Sequence, residues 1–369
     1  MFRYFLRRLF LIPLTLLGIM AVNFLFVQLA PGGPVEHMIA KLQDGGAGAA
    51  RIGGFSGGDG AAMAGVSTRR GDVVSSKYRG AQGLDPALIR ELEIRFGFDK
   101  PLHERFWTMM KNYARFDFGD SFYRDAPVIG LIGEKMPVSV SLGVWTTLIV
   151  YLVSIPLGIA KAVRNGSKFD AATGVLIVVG YAVPAFLFAM MLIVVFCGGR
   201  YLDWFPLRGL VSENWEQMGT LDKVKDYFWH LAMPVTAMVA GGFAGLTMLT
   251  KNSFLEEISK QYVLTAKAKG LDDTAVLYGH VFRNAMLIVL AGFPAVLVGM
   301  LFTGSVLIEV VFSLDGLGLL GFESVMTRDY PVIFGTLYIF ALIGLVLNLV
   351  CDMTYHLVDP RIDFGGRHE

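Results

Sequence analysis

Charge is what this sequence lacks: only 17% of its 369 residues are Asp, Glu, Lys or Arg, against about 25% in an ordinary soluble domain. The deficit is concentrated. Six runs contain no Asp, Glu, Lys, Arg or His at all: Leu9 to Ala30, Val138 to Ala160, Ala171 to Phe196, Leu231 to Thr250, Met286 to Ile308 and Val332 to Cys351. Cysteine is nearly missing as well, with two residues, Cys197 and Cys351. They fall at opposite ends of the third and sixth runs, too far apart for a disulfide or a shared metal. The balance of 32 Lys+Arg against 31 Asp+Glu gives no basic surface for nucleic acid. Phosphate-binding G-x-x-x-x-G-K-[ST] is absent, so no ATPase is encoded. His103-Glu104 begins like a zinc motif, but Trp107 stands where the second histidine would be.

What is there is apolar length. Each run has the roughly 20 residues that cross a hydrocarbon core of about 30 Å as a helix, so the sequence predicts an all-α polytopic membrane protein with spans 9–30, 138–160, 171–196, 231–250, 286–308 and 332–351. The first is too long for the h-region of a cleaved signal, and Leu29-Ala30-Pro31 is not a small-x-small cleavage site. With both termini inside, the short inner segments hold thirteen Lys and Arg and the short outer ones five. This orientation satisfies the positive-inside rule.

The chain divides into an N-terminal segment with the first span (1–30), an outer segment (31–137) and a core (138–369). Within the outer segment, 15 of the 22 residues from Asp44 to Gly65 are Gly or Ala, too little apolar surface to fold; 44–83 is read as flexible and 84–120 as helical. Asp85-Pro86 predicts a helix start, Leu88, Leu92 and Phe96 its apolar face, and Gly97 its end. A second amphipathic run covers Leu102 to Tyr113. The inner segment 251–285 reads as a helix-turn-helix: Ser253 and Glu256 form a capping box opening one helix, Gly270 closes it, and Asp272 or Asp273 caps a second with Leu277, Val281 and Phe282 on one side. An apolar stripe without a core beneath it points to a partner; packing on its own spans is the alternative.

Charge-free spans leave few routes for proton coupling. Pro156, Pro184, Pro234 and Pro294 lie within spans, where they kink helices or break them into carbonyl-lined cation sites. Asn23, Gln28, Ser139, Ser141, Thr146, Thr147, Thr303, Ser305 and Asn348 are the polar side chains at span depth, serving as interhelical contacts or as pathway lining. Gly241 and Gly245 form a G-x-x-x-G for close helix packing. The G-x-G-x-x-G at 316–321 has no βαβ context and is not a dinucleotide fingerprint. Uphill transport would therefore draw energy through the inner helix-turn-helix, from a partner ATPase.

Ordered motifs then carry a resemblance over nearly the whole chain: Arg7-Arg8-Leu9 with Ala30-Pro31-Gly32-Gly33-Pro34; Arg95 to Pro101 (R-F-G-F-D-K-P); Phe116-Asp117-Phe118-Gly119-Asp120-Ser121; Gln261 to Leu271; His280-Val281-Phe282-Arg283-Asn284-Ala285; Glu309-Val310-Val311-Phe312-Ser313 with Gly316-Leu317-Gly318; Arg328-Asp329-Tyr330-Pro331; and Asp359-Pro360-Arg361. The chain resembles the inner-membrane permease subunits of the dipeptide/oligopeptide/nickel class of bacterial ABC importers.

That resemblance implies the type I importer permease fold and an ATP-driven importer of short peptides or peptide-like compounds in the bacterial inner membrane. It implies that Leu264, Thr265, Ala266, Lys267, Lys269, Gly270 and Leu271 form the E-A-A-x-x-x-G coupling element, supported by His280, Arg283 and Asn284. Here Leu264 replaces the motif glutamate, and Ile288 stands where many relatives have proline. Asp315, Gly316, Gly318, Arg328 and Asp329 are implied as an outer gate or binding-protein contact. The implied partners are a second homologous permease, a cytosolic ABC ATPase with two nucleotide-binding domains that holds the ATP and Mg, a periplasmic peptide-binding protein and the bilayer. No cofactor is expected in this chain, and no catalytic residue. An ATP-independent secondary transporter or channel is the alternative, with an intramembrane enzyme third.

Overall fold

The computed structural model describes residues 2–29, 90, 99–198, 201–302 and 306–358. The Gly/Ala stretch expected to be flexible, all but Arg90 of the helix expected at Asp85 to Gly97, the polar pair Thr303 and Ser305, and the Asp359-Pro360-Arg361 tail lie outside these residues. Among the described residues regular structure is helical: α1 (Phe2–Leu29), α2 (Leu102–Tyr113), α3 (Val128–Val163), α4 (Lys168–Ala182), α5 (Ala185–Phe196), α6 (Thr220–Ile258), α7 (Gln261–Ala268), α8 (Asp273–Val276), α9 (Phe282–Phe302), α10 (Val306–Val311), α11 (Leu317–Thr327) and α12 (Tyr330–Val358).

Five helices among the described residues are long and apolar enough to span a membrane, and there are six if the bent pair α4/α5 counts as one span. The break corrects the expectation of a continuous helix over 171–196. Val183 is extended (ψ 119°) ahead of Pro184, because the proline ring bars the helical conformation for the residue before it, and the two halves meet at 91°. Pro156 and Pro234 instead sit inside unbroken α3 and α6. Apolar side chains such as Val175, Leu176, Val178 and Val179 on α4 are exposed; a helix apolar on its outer side suits a lipid surroundings.

The chain forms two compact units. In the larger (1–16, 130–322, 339–369), α6 packs against α4, α5 and α9. The α3–α6 crossing is close: a Cβ on Gly158 would lie 2.6 Å from Thr250 Cβ and 2.8 Å from the Thr247 carbonyl oxygen. At the end of this crossing Asp170, in the first turn of α4, receives both Lys161 from α3 (2.9 Å) and Lys251 from α6 (2.8 Å). Lys161 is fully buried and also donates to the Asp170 carbonyl and to Thr173 Oγ1. The smaller unit (17–129, 323–338) is built on aromatics: Phe24 meets Phe106 and Phe334, while Tyr113, Phe118 and Tyr338 meet edge to face or tilted.

Candidate functional site

The inner hairpin between α6 and α9 departs from the expected capping box. Ser253 lies buried inside α6, and its hydroxyl donates to the Ala285 carbonyl across the hairpin (2.7 Å) instead of capping a helix. Nothing interrupts α6 before Ile258, so an S-x-x-E pattern there has no free amides to satisfy. The new helix starts at Gln261, and its N-cap Lys260 makes no side-chain cap.

Its C-terminus follows the expectation. Gly270 takes φ +87°, its N–H donates to Lys267 and the Leu271 N–H to Ala266. These two bonds form a Schellman motif, whose left-handed residue is most often glycine. After the turn Asp272 precedes α8, which passes through a π-helical segment, Leu277–Val281, into α9. The second, short helix expected from Asp272 or Asp273 thus runs on through the π segment into the following span.

The expected apolar stripe of Leu277, Val281 and Phe282 is a correction: Val281 is buried and the other two are half-buried against the core of the same unit. Val263, Ala266 and Val276 are buried with it. The apolar residues presented outward are Leu264 (65% exposed), Tyr278 (59%) and Leu271 (41%). Thr265, Lys267, Lys269 and Gly270 are exposed around them, with Lys267 Nζ 2.7 Å from Asp273 Oδ1. At the base of α7, Tyr262 donates to Glu257 (2.7 Å), Lys260 pairs with the same carboxylate, and the Asn284 amide reaches both Glu257 and Tyr262. Burial, then the bond to Glu257, pushes the Tyr262 phenol up. Asn284 thus links the start of α9 to the end of α6 and the start of α7; like His280 and Arg283, it is exposed.

The residues expected at the outer gate fall into the two separate units. Asp315, exposed, pairs with Lys135 of α3, while Gly316 and Gly318 enclose the carboxylate of Glu309. A Cβ on Gly316 would meet Glu309 Cδ at 2.5 Å, and one on Gly318 would meet Oε2 at 3.0 Å. The G-x-G-x-x-G pattern therefore contains a cradle for a side chain of the same chain. In the smaller unit Asp329 is buried, accepting from Ser121 Oγ and from the Phe122 N–H (3.1 Å), so its carboxylate is engaged inside that unit. Burial and then Asp329 push the nearby Tyr123 phenol up to about 12. Arg328, half-buried, sits at φ +61° in a Schellman turn ending α11, with Arg328 N–H on Val325 and Asp329 N–H on Ser324.

Sequence reasoning missed Glu309 and the Lys161–Asp170–Lys251 cluster as buried charges. Both lie just past the ends of charge-free runs, where a charge reads as solvated.

The chain matches, over residues 154–364, the family of binding-protein-dependent transport system inner membrane components. It is 58% identical to the inner membrane ABC transporter permease protein YejB of Escherichia coli O157:H7, covering 99% of both chains. It is equally 58% identical, over 99% of both, to the peptidoglycan transport system permease protein YejB of Agrobacterium fabrum. The oligopeptide transport system permease protein AppB of Bacillus subtilis is 34% identical over 73% of this chain and 83% of AppB. Among solved structures, an inward-facing MetNI methionine ABC transporter chain superposes with a TM-score of 0.47 at 12% identity, covering 62% of this chain and 97% of that one. The chain belongs to the binding-protein-dependent transport family of inner membrane components, as a multi-pass ABC permease subunit whose ATPase resides in a partner.

Proposed function

We propose that the chain is one of two homologous permeases of an importer for short peptides or peptide-like compounds, with both termini cytosolic. A cytosolic ABC ATPase docks on the hairpin surface at 264–271, and a periplasmic peptide-binding protein delivers substrate to the opposite side. The observation that carries the docking part is the hairpin itself: a short helix, closed by Gly270, that buries Val263 and Ala266 and turns Leu264, Leu271 and Tyr278 outward beside Lys267 and Lys269. Apolar anchors ringed by cations form a compact, desolvatable contact. The peptide class rests on the relatives, whose names specify oligopeptide and peptidoglycan transport.

The test is a tagged pull-down from solubilised membranes, comparing the intact chain with one whose 264–270 segment is a Gly/Ser linker. An ATPase and a second permease captured by the intact chain, with the ATPase alone lost from the linker variant, support the reading. Equal capture by both removes the docking site. Uptake by the intact complex of free di- to pentapeptides against cell-wall peptide fragments then separates the two substrate descriptions, and uptake of neither overturns the peptide class.

A further inference from the structure

The residue that the proposed function leaves unused is Glu309, a carboxylate with no exposed surface in the short helix α10. A buried carboxylate is costly unless fully bonded, and this one is held by neutral donors. Oε1 accepts from Ser139 Oγ of α3 (2.9 Å) and Oε2 from the Leu319 N–H (2.7 Å). Ser139 Oγ in turn accepts from the Leu317 N–H (2.8 Å). The two amides belong to the first turn of α11, so the carboxylate also sits at that helix's positive end. The backbone joins in: the Glu309 carbonyl accepts from the Leu314 N–H (2.8 Å), and Ser313 takes φ +50° to close that turn. Gly316 and Gly318 leave just the space the carboxylate occupies.

We propose that Glu309 is a positioning residue for transport: it locks the outer loop 312–319 to span helix α3 and to α10. This rests on the importer reading above. Three elements meet at one carboxylate, and its bonds go to a helix end and a hydroxyl, not to a mobile cation. The loop therefore cannot shift against α3 without stranding the charge, and it moves with the spans. Helix α10 packs on α5 and α6, and α6 runs into the ATPase-docking hairpin, so Glu309 makes movement there a movement of the outer loop.

The test measures peptide uptake and ATP hydrolysis by the reconstituted complex with its binding protein, and takes their ratio. Losing charge-assisted bonds corresponds to about a tenfold fall in that ratio for Glu309→Ala. Glu309→Gln, which keeps the shape and can still bond Leu319 and Ser139, recovers most of it. Gly316→Ala, whose Cβ collides with the carboxylate, reproduces the loss, and adding it to Glu309→Ala costs nothing further. A merely structural defect lowers uptake and hydrolysis together and leaves the ratio unchanged, which would overturn the proposal, as would additive effects of the two substitutions. If Glu309→Ala does not accumulate in the membrane, Glu309→Gln and Gly318→Ala carry the same comparison. Wild-type complex that hydrolyses ATP without taking up peptide overturns the importer reading, and the proposal with it.

Discussion

Replacing Gly270 separates two explanations for a glycine at the tip of the hairpin. A Cβ there meets no atom within 4 Å, so space is not what requires glycine. The requirement is φ +87°, which costs a residue with a Cβ about 1–2 kcal/mol, or roughly a 5- to 30-fold shift in population. Helix α7 has eight residues, well below the roughly 12–15 at which an isolated helix is even marginal, so it has no propensity in reserve to absorb that cost. Asparagine visits the left-handed region readily and β-branched residues hardly at all. The expected order of retained function is therefore Gly, Asn, Ala, Val. Hydrogen exchange at the Gly270 and Leu271 amides, which close the Schellman turn, reads the local effect, and ATPase capture reads its consequence. Valine lowers protection by about tenfold or more with the spans still inserted. A steric mechanism predicts instead that asparagine, the larger side chain, does worse than alanine. That order, or full protection in the valine variant, refutes the reasoning.

Three further outcomes follow from the geometry. Gly158→Ala forces a Cβ onto Thr250 and the immobile Thr247 carbonyl, so thermal unfolding of the purified protein should report a loss near 3 kcal/mol, the upper end for overpacking; a change within experimental scatter would mean that α3 and α6 separate freely. Asp170→Ala leaves the ammonium groups of Lys161 and Lys251 without their shared carboxylate, whereas Lys251→Ala leaves Asp170 neutralised by Lys161 and bonded to the Gly166 N–H. The aspartate variant should thus melt distinctly lower than the lysine variant, and equal melting points would show that the cluster is not a unit. Arg328→Gly removes a left-handed arginine at a helix C-terminus and should raise stability by about 1 kcal/mol, measured by the same unfolding; a loss of stability would mean that the arginine side chain contributes more than its backbone costs.

How far the sequence could be read depended on whether each signal was local. Absence of charge over some 20 residues is local, and it located the spans; the break in α4/α5 is also written locally, in Pro184, though its 91° extent is not. Gly270 was legible because a left-handed turn leaves its mark on the residue that adopts it. Ser253 misled because a capping box has meaning only where a helix begins, and α6 had not ended. The stripe of Leu277, Val281 and Phe282 misled for a related reason: periodicity tells which residues share a face, not what covers that face, and here the spans cover it.

The outer loop is where local reading failed most completely, and the failure has a physical source. Ser139 lies 170 residues from Glu309, and Leu319, ten residues on, meets the carboxylate only because the turn at Ser313 folds the chain back. What the sequence did carry was their imprint, a pair of glycines at 316 and 318 that pattern matching assigns to a phosphate. Both assignments share one physical core: glycines let an anion come close to backbone amides at the start of a helix. In a nucleotide site the anion comes from solution; here it is the chain's own carboxylate, 2.7 Å from the Leu319 nitrogen. Distinguishing the two takes the element before the glycines, a strand in one case and a short helix bearing a buried glutamate in the other. A G-x-G preceded by such a glutamate seven residues before its first glycine therefore points to an internal latch, and the coupled Glu309 and Gly316 substitutions decide whether that latch serves transport.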